Sequence, residues 1–174
     1  MLSTLYPDVY YDSIFAIPYE ELLRRRTKGL IFDVDNTLVP HDIAEPTQEI
    51  VTLFSSLRRK GFSICLLSNN NLERINSFNR KLGVKAVARA GKPGLQGIGK
   101  ALKLLGVRPE QTALIGDQIF TDVWCGKRKK IYTILVKPVA KRDEFSVWLK
   151  RGLERIVLHS YSKERNKNGK PNSW

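Results

Sequence analysis

This sequence has little cysteine, a shortage of acidic residues and no long apolar run. Its two cysteines, Cys65 and Cys125, are far apart and match neither a zinc-binding nor a dithiol redox spacing. No stretch approaches the ~20 apolar residues that cross a bilayer, and the N-terminus lacks the pattern of a secretory signal. These absences argue against a disulfide-stapled secreted domain and predict a cytoplasmic protein with buried free thiols.

The shortage of acidic residues leaves a strongly basic chain. Lys and Arg number 30 against 17 Asp and Glu, which gives a net charge of +13. A surface of this sign favours an anionic partner, either nucleic acid or an anionic lipid surface, without choosing between them. The basic run at residues 127–130 fits docking to anionic lipid and equally fits a solvated helix end.

The length of 174 residues suits one domain with a sizeable core. Residues 1–28 form an aromatic, proline-punctuated segment with a helical pattern over residues 19–26. This segment either packs on the core or docks its aromatic and basic side chains to a membrane, and packing is the favoured interpretation. Residues 145–158 predict the last helix of a domain spanning 29–159, and residues 160–174 predict a disordered basic tail.

Predicted strands and helices alternate from Gly29 onward. Short apolar runs typical of buried parallel strands are separated by amphipathic helical stripes. The pattern predicts an α/β fold with a doubly wound, Rossmann-like parallel sheet of five strands and helices on both faces. The strands are predicted at residues 29–32, 62–67, 84–88, 112–115 and 131–136.

Polar side chains follow the carboxyl ends of the first four predicted strands. They are Asp33, Asp35, Ser68, Lys92, Asp117 and Asp122. Doubly wound sheets bind their ligands at this edge. Asp33 and Asp35 are two residues apart, so in an extended segment their like charges share a face, and a hard divalent cation such as Mg²⁺ would hold them together.

Each of these residues also has an ordinary structural explanation. Asp-x-Asp occurs in solvated turns, Ser68 suits a helix cap, and Lys92 suits an exposed surface. Asp117 and Asp122 suit turns and helix caps in the same way. Their joint occurrence at successive strand ends favours a functional site over these separate explanations.

The same residues form four motifs whose order resembles the haloacid dehalogenase superfamily of phosphohydrolases. The motifs are Asp33-Val34-Asp35-Asn36-Thr37, Ser68-Asn69, Gly91-Lys92-Pro93 and Gly116-Asp117-Gln118 with Thr121-Asp122. The resemblance covers residues 29 to about 136 and is greatest to subfamily IIIA, in particular to the YqeG-type proteins related to phosphatidylglycerophosphate phosphatases. Because only one predicted helix lies between Asp35 and Ser68, and one between Ser68 and Lys92, no cap domain is expected.

The resemblance implies a Mg²⁺-dependent phosphomonoester hydrolase that acts through an aspartyl phosphate. Asp33 would be the nucleophile and Asp35 the general acid and base. Ser68, Asn69 and Lys92 would bind the phosphoryl group.

The same resemblance implies the metal ligands. Mg²⁺ would be bound by Asp33, the backbone carbonyl of Asp35 and Asp117, with Asp122 supporting it from just outside or through water. His41 is interpreted as an exposed loop histidine, and contact with the substrate is the alternative.

An uncapped site implies a large substrate that covers the site itself. Phosphatidylglycerophosphate is the favoured substrate by resemblance, with peripheral docking to an anionic membrane. A nucleotide or polynucleotide phosphate is the second hypothesis. A third, from another class, is an RNA- or ribosome-associated binding module with incidental phosphatase activity, against which the intact acidic set argues. A receiver-type phospho-acceptor domain is excluded because its acidic pair precedes the acceptor strand.

Overall fold

The computed structural model describes residues 2–140, which fold around one parallel sheet. The sheet contains β1 (Val9–Tyr11), β2 (Gly29–Phe32), β3 (Ser63–Leu67), β4 (Lys85–Val87), β5 (Thr112–Gly116) and β6 (Tyr132–Val136). The α-helices are α1 (Tyr19–Arg24), α2 (Gln48–Arg59), α3 (Leu72–Asn79), α4 (Gln96–Leu105) and α5 (Trp124–Arg128). The predicted helix at 145–158, the domain end at 159 and the tail lie outside the described residues.

The order of the strands is β1-β6-β5-β2-β3-β4, and every neighbouring pair is parallel. Between β2 and β3 the chain contains α2 and no inserted domain, and between β3 and β4 it contains α3. The predicted doubly wound sheet without a cap is therefore confirmed.

Helices cover both faces of the sheet, so the central strands β2 and β5 are buried along their whole length. Leu30 and Phe32 of β2 face one layer, where the ring of Phe32 lies 4.9 Å from that of Phe54 in α2. Ile31 faces the other layer together with Ile98 of α4. Burial on both sides explains why β2 is a continuous apolar run instead of an alternating one.

The predicted strand count of five is wrong, because the described residues contain six strands. The additional strand, β1, lies in the aromatic N-terminal segment and pairs with β6 at the edge of the sheet. It is three residues long and half-buried, so it lacks the apolar run that marks a central strand. An edge strand with one neighbour does not require such a run, which is why the sequence pattern missed it.

Asp8 fastens this edge strand to the rest of the domain. Its carboxylate accepts hydrogen bonds from the backbone N–H and the hydroxyl of Thr133, each at 2.8 Å, and from Lys127 Nζ at 2.7 Å. The Asp8 N–H donates in return to the Thr133 carbonyl at 3.0 Å. Ile14 and Ile17, further along the segment, are buried in the core.

Asp8→Ala should lower stability by about 1–3 kcal/mol, because the buried Thr133 N–H loses its acceptor. Thermal unfolding measures the loss, and amide exchange should accelerate in residues 9–11 and 132–136. Asp12→Ala, which removes an exposed carboxylate from the same segment, is the matched control. Equal unfolding temperatures for the two variants would show that Asp8 does not hold the edge.

Candidate active site

The candidate site lies where the carboxyl ends of β2 and β5 meet. These strands are neighbours, although the chain places β3 and β4 on one side of β2 before it returns to the other side. Asp33 directly follows β2, and Asp117 directly follows β5. Residues distant in sequence therefore face one crevice, at the point of the sheet where doubly wound folds bind ligands.

Lys92 connects two of the predicted aspartates. Its Nζ donates to Asp33 Oδ1 at 2.7 Å and to Asp122 Oδ1 at 2.5 Å, and all three side chains are buried. Burial by itself lowers the pKa of Lys92, but the carboxylates of Asp122 and Asp33 outweigh it and raise the pKa overall. The ammonium is therefore charged in the interior of the site.

Asp33, Asp117 and Asp122 form a carboxylate cluster in which one oxygen of each lies within 4.8 Å of the others. Burial raises the pKa of Asp33 to about 6, although the charge of Lys92 lowers it. Burial, followed by the charges of Asp33 and Asp122, raises the pKa of Asp117 well above its usual value. When all three carboxylates are ionised, they exceed the single ammonium by two negative charges, which fits a divalent cation with oxygen ligands such as Mg²⁺.

Thr37 links two members of the cluster, and sequence analysis did not assign it a role. Its Oγ1 lies 3.1 Å from Asp33 Oδ2 and 3.1 Å from Asp117 Oδ1. Because a hydroxyl carries one hydrogen, it donates to one of the two at a time. The position of Thr37 in the first motif was the one sequence signal that could have assigned it to the site. The loop is shaped by Asn36, whose φ of 66° lies in the left-handed region that asparagine tolerates.

The carboxylate of Asp35 lies outside this cluster. Its Oδ2 accepts from Ser68 Oγ and Asn70 Nδ2, each at 3.3 Å, and its Oδ1 accepts from Arg74 Nη2 at 3.2 Å. Sequence analysis missed Asn70 and Arg74. Asn70 belongs to the run of asparagines after Ser68, which could have indicated its role. No nearby sequence pattern indicates Arg74, because it contacts Asp35 only in the folded chain. The metal contact assigned to the Asp35 backbone carbonyl stays a prediction.

Asn69 holds a neighbouring loop in place. Its side-chain amide donates to the Lys92 carbonyl at 2.9 Å and accepts from the Lys92 N–H at 2.7 Å. The side chain is thus committed to the loop of Lys92, and the predicted phosphate contact of Asn69 would come from its backbone N–H. Ser68 is buried and accepts from the Asn70 N–H at 3.0 Å. His41 is exposed in the loop after the first motif.

Gly116 allows Asp122 to approach the end of β5. A Cβ at this position would lie 2.3 Å from the Asp122 Cγ, which no side chain tolerates. Asp122 Oδ2 also accepts from the Gln118 N–H at 3.2 Å. The glycine of the fourth motif therefore makes room for the aspartate six residues later.

Comparison with known families agrees with these motifs. The family described as haloacid dehalogenase-like hydrolase matches residues 40–128. This range is about half of the chain and contains Ser68, Lys92, Asp117 and Asp122, whereas Asp33 and Asp35 precede it.

Curated relatives extend the similarity over most of the chain. The probable phosphatase YqeG of Bacillus subtilis (strain 168) is 35% identical over 158 residues, which cover 91% of this chain and 92% of that protein. The phosphatidylglycerophosphate phosphatase 1, chloroplastic/mitochondrial, of Arabidopsis thaliana is 26% identical over 164 residues, which cover 87% of this chain. The aligned region is 47% of the Arabidopsis protein, so the chain spans about half of its length.

Solved structures share the fold. The cobalt-bound deoxy-D-mannose-octulosonate 8-phosphate phosphatase of Haemophilus influenzae has a TM-score of 0.51 at 19% identity, covering 80% of this chain and 91% of that one. An uncharacterized protein from Listeria monocytogenes serotype 4b has a TM-score of 0.54 at 17% identity, covering 68% of this chain and 84% of that one. From the family match and the extended similarity to the Bacillus protein, this chain belongs to the haloacid dehalogenase-like hydrolases and is a phosphatase of that superfamily.

Proposed function

We propose that this phosphatase is a Mg²⁺-dependent phosphomonoester hydrolase in which Asp33 is the nucleophile. The observation that carries the proposal is that the buried Asp33 carboxylate accepts from Lys92 Nζ at 2.7 Å and belongs to the same cluster as the carboxylates of Asp117 and Asp122. Asp33, Asp117 and Asp122 would hold the metal. When bound, Mg²⁺ would screen the phosphoryl oxygens as a Lewis acid.

The first half of the reaction transfers the phosphoryl group to Asp33. A carboxylate oxygen of Asp33 forms a bond to phosphorus while the bond from phosphorus to the leaving oxygen breaks. Lys92 reduces the repulsion between the attacking carboxylate and the phosphate. Asp35, positioned by Ser68 and Asn70, gives its proton to the leaving oxygen.

The second half releases inorganic phosphate. Asp35, now a carboxylate, takes a proton from a water molecule, whose oxygen attacks the phosphorus of the phosphoaspartate. The bond from phosphorus to the Asp33 oxygen breaks, and the free carboxylate returns. A general acid and base in this position typically contributes about 10²–10⁴-fold to the rate.

Phosphatidylglycerophosphate is the substrate we favour. The plant relative, and a protein from Chlamydomonas reinhardtii that is also 26% identical, are named phosphatidylglycerophosphate phosphatases. Within the described residues no cap covers the site, so a large substrate has free access. A nucleotide or polynucleotide phosphate is the competing substrate class, supported by the net charge of +13.

Three exposed apolar side chains, those of Ile43, Leu72 and Val139, lie on the side of the sheet that carries the site, and we call them the apolar rim. These side chains are 42%, 59% and 53% exposed, and each lies in a segment that follows the carboxyl end of a strand. The Val139 N–H donates to the Asn36 carbonyl at 2.8 Å, which places Val139 over the nucleophile loop. Exposed Lys137 lies beside it. We propose that this rim and its positive charge rest on an anionic membrane.

Among residues 2–140, no helix has both the length and the apolar character to cross a bilayer.

Asp33→Asn should reduce Mg²⁺-dependent hydrolysis of an aryl phosphate by roughly 10³-fold or more, because an amide oxygen cannot serve as the nucleophile. Chelation of divalent cations should stop the wild-type enzyme in the same assay. Asp42→Asn, an exposed loop aspartate nine positions later, is the control and should keep its activity. An Asp33→Asn enzyme with wild-type turnover would remove Asp33 from the nucleophile role.

The substrate proposal predicts that kcat/KM for phosphatidylglycerophosphate in anionic vesicles exceeds that for nucleotides and 3′-phosphorylated DNA by at least about tenfold. Replacing the rim by the double variant Leu72→Ser, Val139→Ser should lower vesicle binding and lipid hydrolysis by roughly tenfold, since apolar contact with the membrane is lost. Aryl phosphate hydrolysis in solution should not change.

Leu104→Ser is the control for the rim. Leu104 is exposed in the last turn of α4 and lines a groove with Ser63, the first residue of β3, at the end of the sheet opposite to the site. Equal loss of vesicle binding in both variants would argue against a specific rim. A preference for nucleic-acid phosphates would overturn the lipid substrate while leaving the role of Asp33 intact.

The carboxylate cluster should make metal-free protein less stable as pH rises. The pKa of Asp33 is about 6 in the folded state against an ordinary 3.8, so the folded chain binds this proton more tightly than the unfolded chain. The corresponding stability is complete below the ordinary pKa and is lost as pH rises through about 6. The melting temperature without metal should therefore fall between about pH 4 and 7, and Mg²⁺ should restore it.

Asp117→Asn provides the matching test. The substitution removes one of the crowded charges, so it should raise the metal-free melting temperature at neutral pH and abolish the increase on adding Mg²⁺. Asp42→Asn again serves as the control. A metal-free Asp117→Asn protein that melts below wild type, or that Mg²⁺ still stabilises, would contradict the assignment.

A further inference from the structure

Arg74 lies in the first turn of α3, between the buried cluster and solvent. Its Nη2 donates to Asp35 Oδ1 at 3.2 Å, and its guanidinium carbon lies 5.6 Å from the centre of the Phe78 ring. The side chains of Arg74 and Asp35 are 14% and 13% exposed, whereas Lys92 and Asp33 are 3% and 8% exposed. The pair of Arg74 and Asp35 therefore lies closer to solvent, toward the mouth of the site, than the pair of Lys92 and Asp33.

Most of the hydrogen-bonding capacity of Arg74 is unused by the described residues. Its Nε and Nη1 are buried and contact no acceptor there. A buried donor without an acceptor costs about 1–3 kcal/mol, so such groups call for an explanation. A planar guanidinium with free donors is suited to the paired oxygens of a phosphate or carboxylate.

The orientation of Asp35 does not by itself explain an arginine here. Asp35 Oδ2 already accepts from Ser68 and Asn70, and Arg74 adds one bond to Oδ1. A side chain with a single donor would complete that arrangement without leaving two buried nitrogens unpaired. The remaining donors of Arg74 therefore point to an anionic group that is not part of the protein.

We propose that Arg74 binds a second phosphate on the substrate, a phosphodiester carried by the leaving group, and so selects monoesters that are joined to it through glycerol. This inference rests on the proposed function, in which Asp35 protonates the leaving oxygen. The group attached to that oxygen then passes Asp35 on its way to the mouth, which is where Arg74 lies.

The chemistry of the favoured substrate matches this placement. A glycerol bridge holds a terminal phosphomonoester and a phosphodiester three carbons apart, so both are within reach of one site. Lys92 and the metal held by the carboxylate cluster would bind the terminal phosphomonoester, while Arg74 would bind the phosphodiester. Because the Arg74 side chain is 14% exposed, a change of its rotamer would turn the unpaired donors toward the mouth.

The test compares two water-soluble substrates, so that membrane binding plays no part. One is glycerol 3-phosphate, and the other is the deacylated head group, glycerophosphoglycerophosphate, which adds the phosphodiester. The wild-type enzyme should prefer the head group in kcat/KM by roughly 10- to 100-fold, the range for a charge-assisted hydrogen-bonded pair. Arg74→Gln should bring the ratio of the two kcat/KM values close to one, and Arg74→Lys should keep part of the preference.

Arg80→Gln is the matched control, because Arg80 is an exposed arginine at the other end of the same helix, and its ratio should equal that of wild type. Thermal unfolding shows that each variant is folded. The ratio separates selection from positioning: if Arg74 only orients Asp35, Arg74→Gln slows both substrates equally and keeps the ratio. That result, or a wild-type ratio of one, would overturn the proposal.

Two further outcomes have defined meanings. A 5′-phosphorylated dinucleotide also carries a monoester next to a diester, so an Arg74-dependent preference for it over the glycerol compound would overturn the glycerol assignment. If the enzyme hydrolyses aryl phosphate through Asp33 but neither glycerol compound, the Arg74 inference fails while the phosphatase chemistry stands.

Discussion

The charged contact of Lys92 with Asp33 and Asp122 is the interaction on which the site depends. Three buried carboxylates cannot share a crevice unless positive charge holds them, and Lys92 supplies the part of that charge which the chain itself carries. Each member comes from a different strand end, so the contact also fixes the relative positions of the loops that follow β2, β4 and β5. The hydrogen bonds that position the catalytic groups are therefore the same bonds that hold these loops together.

The loops around this contact are held by a second layer of hydrogen bonds. Asn69 binds both backbone groups of Lys92, and Gly116 leaves the space that Asp122 occupies. Asp35 is kept apart from the cluster by donors from α3 and from the loop after β3, so two carboxylates only two residues apart have separate environments. Separate environments are what allow one carboxylate to attack and the other to carry a proton.

Much of this arrangement was predictable from sequence, because buried parallel strands have a recognisable sequence pattern. A strand buried on both faces is an uninterrupted apolar run, and the residue after it lies at the ligand-binding edge, which located Asp33, Ser68 and Asp117 in advance. The strand β1 has only one neighbour, and so it left no such pattern. Contacts between loops left none either: the bonds of Arg74 to Asp35 and of Thr37 to Asp117 depend on how separate segments fold together.

The pairing of β1 with β6 joins nearly opposite ends of the described chain, since Val9 lies beside Ile134. During synthesis from the N-terminus, the aromatic segment leaves the ribosome well before the strand that it must pair with. Contacts of such long sequence separation form late, because the intervening chain has to close first. The edge of the sheet can therefore be completed only late in synthesis, because β1 has no neighbouring strand until residues 132–136 are available.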